Sequence, residues 1–264
     1  MHPPAPSLPG VRPALVVAHP GHELRLHGWL ELARPRVLVL TDGSGASGRS
    51  RLASTTRLLA AAGTAPGAVY GRLTDRELYA AILARDAALA LGLVEELAAT
   101  LVREGVDYVV TDALEGYNPA HDLCHVLVGA AVATAARAGR QVAHFDFPLA
   151  GPPDARGNGK APVAFRLDDA ALARKLAAAR DYVGLGDEVR AALTAHGVEG
   201  FLVECLRPLA PGPFRARPPA DPPFYERYGE AQVAAGVFST AIRRARHVAP
   251  IEHAIDAWRA SAMR

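Results

Sequence analysis

Ala14-Leu-Val-Val-Ala-His-Pro-Gly-His-Glu23 opens with five apolar residues and then breaks at a Pro-Gly turn. The length and branching of the run suit a strand buried on both faces of a parallel sheet, and the abrupt stop puts two histidines just past its carboxyl end. Residues 22–32 follow with Leu24, Leu26, Trp29, Leu30 and Leu32 at helical spacing. The pattern then repeats. Residues 36–41 read as a second strand, 51–62 as a helix, 68–71 as a short third strand, and 75–103 as helix with a break near Gly92. Residues 106–111 read as a fourth strand, 121–138 as a helix and 141–147 as a fifth strand. Strands alternating with helices over short connections predict an α/β fold: a doubly wound, mostly parallel, Rossmann-like sheet.

Beyond residue 149 this regularity fades into a predicted C-terminal α+β elaboration. It consists of a Gly/Pro-rich loop over 151–162, a helix over 169–182, a strand near 201–206 and a proline-rich loop over 208–223. An aromatic, charged loop over 224–229 and a final helix over 240–259 complete it, with the roles of Glu204 and His247 open. Four prolines in the first ten residues remove backbone donors, so 1–12 reads as a tail. Residues 13–264 read as a single α/β domain, with the core sheet in 13–150 and the elaboration in 151–264.

Composition narrows the function. Half of the 264 residues are hydrophobic and 21% are charged, enough to bury a sizeable core. A net charge of +2 without any block of like charges argues against a nucleic-acid partner. Cys124 and Cys205 make no disulfide framework and fit a reducing compartment. No apolar stretch reaches membrane-spanning length, and the N-terminus lacks the basic and apolar regions of a secretory signal. These features predict a cytoplasmic protein acting on a small molecule, with no membrane and no nucleic acid; they leave the oligomeric state open.

In an open parallel sheet, ligands bind past the carboxyl ends of strands where the strand order reverses. Two histidine-bearing loops fall at such ends: His19-Pro-Gly-His22 after strand one, and Tyr117-Asn-Pro-Ala-His121-Asp-Leu-Cys-His125 after strand four. If those strands are neighbours, His19, His22 and His121 converge. A lone loop histidine is ordinarily a polar surface group, but three imidazoles at one point suit zinc or a similar divalent ion with an open position. His125, four residues after His121, shares its helix face and reads as support for the imidazoles. Cys124 reads as a small buried hydrophobe. Gly43, Gly45 and Gly48 fit neither the dinucleotide fingerprint nor the Walker pattern. Arg49 and Arg51 beside them are placed either to grip an anionic or hydroxyl-rich substrate or to lie in solvent. Tyr117 is placed either to donate to an oxyanion or to pack over its loop.

Val16-Val-Ala-His-Pro-Gly-His-Glu23 resembles the signature loop of the LmbE-like (PIG-L-type) family of metal-dependent N-deacetylases. That family has a His-Pro-Asp-Asp-Glu loop after its first strand and a His-Pro-Asp-His loop after a later one, to which Leu114-Glu-Gly-Tyr-Asn-Pro-Ala-His-Asp122 corresponds here. The Gly-rich stretch after Leu40-Thr-Asp-Gly43 and Arg51 also fall at comparable places, and the resemblance covers residues 14–150. It implies a zinc-dependent amide hydrolase, an N-deacetylase acting on an acylated amino sugar or sugar-containing small molecule, with metal-bound water as nucleophile. Carried over, His19 is the first metal ligand and His121 the last, while His22 stands where the family has an aspartate ligand.

The departures fall on proton handling. Gly21 stands where the family has its aspartate base, Asn118 replaces the histidine associated with the oxyanion, and Ala120 replaces the aspartate beside it; Glu23 is retained. Three neutral imidazoles leave the ion its full charge, which draws the pKa of bound water towards about 7. Glu23, Asp42 and Asp122 are the candidate replacement bases. Glu23, adjacent to His22, reads first as a partner that steadies its imidazole, and Asp122 reads first as the cap of the helix beginning near it. The missing aspartate also motivates an alternative: a non-hydrolytic relative that binds a sugar, a nucleotide or a partner protein. A different metal-dependent hydrolase is the remaining possibility.

Overall fold

The computed structural model describes residues 11–151, 162–210 and 221–261. The first ten residues of the predicted tail, most of the 151–162 loop and residues 211–220 of the proline-rich loop lie outside that set.

The chain opens with β1 (Pro13–Val17), a 3-10 turn (His22–Leu26) and α1 (His27–Ala33), then β2 (Arg36–Thr41), α2 (Leu52–Ala61) and β3 (Ala65–Leu73). It continues through α3 (Asp75–Ala84), α4 (Ala87–Arg103), β4 (Tyr108–Asp112), α5 (Pro119–Arg137) and β5 (Ala143–Phe147). The elaboration adds β6 (Val163–Arg166), α6 (Asp169–Asp181), α7 (Gly186–His196), β7 (Val203–Pro208), α8 (Phe224–Ala234) and α9 (Ala249–Ser261). The strands form one sheet in the order β3-β2-β1-β4-β5-β7-β6. The first five are parallel, and β7 and β6 join antiparallel, so the predicted mostly parallel α/β architecture is observed.

Alternation within the strands builds two cores. Ala14 and Val16 of β1, with Leu38 and Leu40 of β2, face the helices α3, α4, α5 and α9, meeting Ile82, Leu97, Leu127 and Ile255. Leu15, Val17, Val37 and Val39 face the other way, against Trp29 and Leu30 of α1 and Leu59 of α2. A strand buried on both faces has no polar positions to show, which is why β1 is apolar throughout.

Several boundaries differ from the expectation. The helical stretch over 75–103 breaks at Arg85 and Asp86: Arg85 takes a left-handed φ of 58° and Asp86 accepts the Leu89 N–H at 2.9 Å. Gly92 lies inside α4 with open space where a side chain would be, so it interrupts nothing. The third strand is longer than predicted, and β6 and α7 were not foreseen. The expected loop over 224–229 is the start of α8, launched from Pro223, whose fixed φ suits a helix start. The last helix begins at Ala249, after a π-helical turn at Arg244–Val248 in which His247 Nδ1 accepts the Arg243 N–H.

The elaboration is fastened to the core by a buried ion pair. α1 has no side-chain cap of its own. Glu204 of β7 supplies one, accepting from Gly28 N at 2.9 Å and Trp29 N at 2.8 Å, while Lys175 of α6 donates to Glu204 at 2.8 Å and to the Arg25 carbonyl at 2.9 Å. The carboxylate therefore serves two orphan N–H groups at the positive end of a helix and one ammonium.

Candidate functional site

β1 runs beside both β2 and β4, with Val16 opposite Leu38 on one side and Thr111 on the other. The chain winds away from β1 in both directions, so the loops after β1 and β4 splay apart at the strand-order reversal. His19 and His22 come from the first loop and His121 from the first turn of α5. Their rings meet: centroids lie 5.4 Å apart for His19–His22, 5.3 Å for His19–His121 and 4.4 Å for His22–His121. Each pair meets edge to face, at 85°, 64° and 79°. His19 and His121 are buried and His22 nearly so.

Two carboxylates that sequence reasoning missed hold these rings. His19 Nδ1 lies 2.8 Å from Asp75 Oδ1 and 2.8 Å from Thr41 Oγ1. The Thr41 hydroxyl itself donates to the Ala18 carbonyl at 3.0 Å, so the imidazole supplies the hydrogen to both. Its Nε2 is buried and without a hydrogen-bond partner. His22 Nδ1 lies 3.0 Å from both oxygens of Asp112, the last residue of β4, which also accepts the Ala18 N–H at 2.8 Å. Carboxylates behind imidazoles in this way fix tautomer and orientation in metal sites. Asp112 carried a usable signal, being an acid at a strand end on the reversal. Asp75 opens a helix 56 residues after His19 and had no local signal.

The electrostatics disfavour charge on two of the rings, His22 and His121. Burial pushes the His22 pKa well below its ordinary value, and the neighbouring His19 and Arg51 push it further. His121 is lowered for the same reason, burial first and His22 second. Burial raises Asp112 to about 6 against the pull of His121 and the Ala18 N–H. For Asp75 burial acts upward, but the hydrogen bond and charge of His19, with Thr41 and the Gly45 N–H, outweigh it and hold the carboxyl below its usual range.

The other predicted residues take definite places. Glu23 is buried and faces its own loop: one oxygen accepts the Gly21 N–H at 2.7 Å, the other the Thr55 hydroxyl at 2.7 Å, and Thr55 meets Tyr182 OH at 2.6 Å. It steadies the backbone between the histidines, not an imidazole, and offers no free oxygen. Asp42 Oδ1 accepts the Ser44 and Asp75 N–H groups at 3.0 and 3.3 Å, closing the loop after β2. Asp122 is not the cap of α5. Asn118 is, accepting the Ala120 N–H at 2.8 Å, while Asp122 accepts from Glu115 and Gly116 and holds the preceding loop. His125 Nδ1 bonds the Asp112 carbonyl at 2.8 Å, supporting the residue that holds His22. Arg51 donates to the Gly43 carbonyl at 2.7 Å with its charge bearing on His22. Tyr117 stacks on Phe224 at 5.1 Å, half exposed, so it packs over the loop. Cys124 and Cys205 are both buried.

A further residue without a sequence signal is Tyr79 of α3. Its ring stacks on His19 at 6.2 Å and its hydroxyl lies 2.8 Å from Asn118 Nδ2. Burial raises its pKa to about 12, so it keeps its proton.

Three imidazoles, one with a buried nitrogen that has no hydrogen-bond partner, and two carboxylates behind them are the donor types that divalent-metal sites use in general. Among the described residues no group of three or more His, Cys, Asp or Glu side chains is arranged so as to hold a metal ion as it stands.

No known family's sequence model matches this chain, and no curated protein matches it by sequence. Solved structures do. The N,N'-diacetylchitobiose deacetylase from Pyrococcus horikoshii shares 17% identity over 80% of this chain and 88% of its own, with a TM-score of 0.51. The conserved protein TT1542 from Thermus thermophilus shares 18% over 78% of this chain and 100% of its own, at 0.48. The A40926 pseudoaglycone deacetylase Dbv21 shares 17% over 78% of this chain and 99% of its own, at 0.47. The chain thus has the fold of the chitobiose deacetylase, at an identity that speaks for the fold alone.

Proposed function

We propose that this chain is a metal-dependent amide hydrolase, an N-deacetylase of the LmbE-like kind, acting on an acylated amino sugar or a sugar-containing small molecule. The observation that carries the proposal is the meeting of His19, His22 and His121 at the strand-order reversal, from loops about a hundred residues apart. The fold shared with a solved deacetylase supports it. His19, His22 and His121 would hold zinc, whose contribution when bound is Lewis-acid polarisation of an acyl carbonyl and of water.

The chain's own residues divide the remaining work. Asp75 and Asp112 orient His19 and His22 through their Nδ1 hydrogens. The Tyr79 oxygen lies 2.8 Å from Asn118 Nδ2 and 3.1 Å from Asn118 Oδ1, and that carbonyl already accepts from Ala120. The shorter contact has the amide donating, which lets the Tyr79 hydroxyl turn its proton to a carbonyl oxygen that gains charge. Arg51 adds positive charge beside His22. The test is elemental analysis of purified protein with acetate release from a panel of N-acetylated sugars. Zinc near one equivalent, lost in a His19→Ala/His121→Ala variant together with acetate release, is the expected result. Protein that takes up no divalent ion, or turnover indifferent to both histidines, refutes it.

One observation favours a second reading, a sugar-binding relative without hydrolysis. Position 21 carries no proton acceptor and Leu185 fills the space beside it. Stabilisation by an acetylated sugar with zinc bound, without acetate release, would select that reading.

A further inference from the structure

The three histidines are shut in. His19 and His121 are 5% and 8% exposed, and the His22 side chain 14%. A small-molecule substrate cannot reach rings so enclosed unless a wall of the crevice moves. Most of that wall is core. Asp112 ends a central strand, and Tyr79 stands on α3, which has a capping box between Thr74 and Glu77 and buries Leu78 and Ile82. The remaining side is the connection between α6 and α7. Leu185 lies on Gly21, the residue before His22, and the Gly184 backbone lies against the stem of Arg51.

That connection leads into a weakly held helix. α7 buries none of its 11 residues, whereas α6 buries Leu172, Lys175, Leu176 and Ala179. The helix rests on one stripe: Leu185, Val189 and Leu193 follow at successive turns, the first two against the core that contains Trp29, the third against Leu167, Leu172 and Leu176. Among the described residues no side-chain hydrogen bond or ion pair joins α7 to another element. Arg190 bonds Asp187, and Thr194 bonds the Arg190 carbonyl, all within the helix. The flanks are fixed. Tyr182 is 3% exposed and bonded to Thr55 at 2.6 Å, and the Leu202 carbonyl accepts the Leu167 N–H at 2.9 Å. Between these fixed points and the helix stand Gly184 and Gly197, with φ of 90° and 62°, states that other residues rarely adopt. Few buried contacts, fixed flanks and a glycine at each end are the build of a segment that opens locally.

We propose that the α6–α7 connection and α7 form a lid over the first histidine loop, hinged at Gly184 and Gly197, whose opening admits ligand to His19, His22 and His121 and whose closure returns Leu185 to Gly21. The proposal rests on the reading of those histidines as the reacting centre, and adds the element that controls access to it.

The test pairs native-state hydrogen exchange at low urea concentrations with carbethoxylation of histidines by diethyl pyrocarbonate, both read by mass spectrometry on full-length, EDTA-treated protein. Amides of residues 186–196 are expected to exchange well ahead of those of α6 and with little dependence on urea, since a local opening exposes little surface. His22 should react slowly beside the exposed His253. Leu185→Ala and Val189→Ala should each speed the α7 exchange and the His22 reaction by a common factor, roughly three- to tenfold for a trimmed, half-buried aliphatic contact, while His253 keeps its rate. Val189 lies a turn beyond Leu185, so its effect on His22 reports the helix moving as a unit. Exchange of α7 in step with α6 overturns the proposal, as does a His22 as reactive as His253 in the parent protein. So does His22 reactivity unchanged in both variants while α7 exchanges faster. The parent's exchange needs no variant, so misfolding of either leaves that criterion standing. Neither measurement uses metal or turnover: a chain without zinc or acetate release can still carry the lid, and a rigid α7 leaves the histidine reading intact, so the two fail separately.

Discussion

Leu185 occupies the volume into which a side chain at Gly21 would project. A Cβ added to Gly21 would collide with Leu185 Cδ1, and Gly21 has a φ of 110°, a backbone state that L residues rarely adopt. The neighbouring contacts secure the arrangement. Tyr182 reaches Thr55 and through it Glu23, while the backbone of Gly184 lies against the Arg51 stem. The connection between α6 and α7 thus covers the first histidine loop, and a hydrocarbon fills the space that a side chain at 21 would take.

Gly21→Asp is therefore expected to destabilise the protein by about 2–4 kcal/mol, from overpacking and the positive φ together. Leu185→Ala in the same chain should recover the part due to the collision and leave the backbone part. Urea denaturation of the two single variants and the double variant reads the coupling directly. Strictly additive changes would mean that Leu185 does not fill that space.

Much of this arrangement was legible and part of it was not. The apolar run at β1, the Pro-Gly stop and the two histidine loops are local signals, and the reversal between β1 and β4 follows from the rules of parallel sheets. That is why sequence alone brings His19, His22 and His121 together once β1 and β4 are taken as neighbours. Asp75, Tyr79 and Leu185 reach the site from α3 and from the α6–α7 connection, through packing that no short motif encodes. The loop expected at Phe224–Gly229 was misread because prolines before it suggested continued irregularity, whereas Pro223 in fact sits just before the first helical residue. Glu23 shows the limit of adjacency: it follows a histidine in sequence but faces Thr55 and its own backbone.

Asp112→Asn should weaken the proposed zinc site without unfolding the sheet. The change keeps an acceptor beside the Ala18 N–H but removes the charge from His22 Nδ1. Losing an outer partner of a liganding histidine typically costs about 10–100-fold in metal affinity. Competition with a chromogenic chelator at fixed pH measures it, and affinity equal to the parent would show that Asp112 does not orient a ligand. Asp75→Asn, acting through His19, should give a similar loss.

Acid stability should depend on His144 of β5. Burial first, and then the nearby His125, lower its pKa from 6.5 to about 3. The folded state therefore binds fewer protons than the unfolded chain between those values, and stability falls as pH drops from 6.5 towards 3. His144→Phe removes that proton uptake. Its melting temperature should fall less steeply than the parent's over this range, by an amount corresponding to about 2–3 kcal/mol near pH 4. Parallel curves for the two proteins would show that His144 does not control the acid limb.

The buried pair Lys175–Glu204 ties the elaboration to α1 and should respond asymmetrically to mutation. Both side chains are almost fully buried, so neither charge has water to fall back on. Glu204→Ala strips the cap from Gly28 and Trp29 and leaves the Lys175 ammonium uncompensated, which should cost about 3–5 kcal/mol. Adding Lys175→Met removes the stranded charge while keeping most of the side-chain volume, and should return part of that loss. What remains in the double variant reports the two uncapped N–H groups of α1, about 1–2 kcal/mol. A double variant less stable than Glu204→Ala alone would mean that Lys175 stabilises the fold through its bond to the Arg25 carbonyl, independently of the carboxylate beside it.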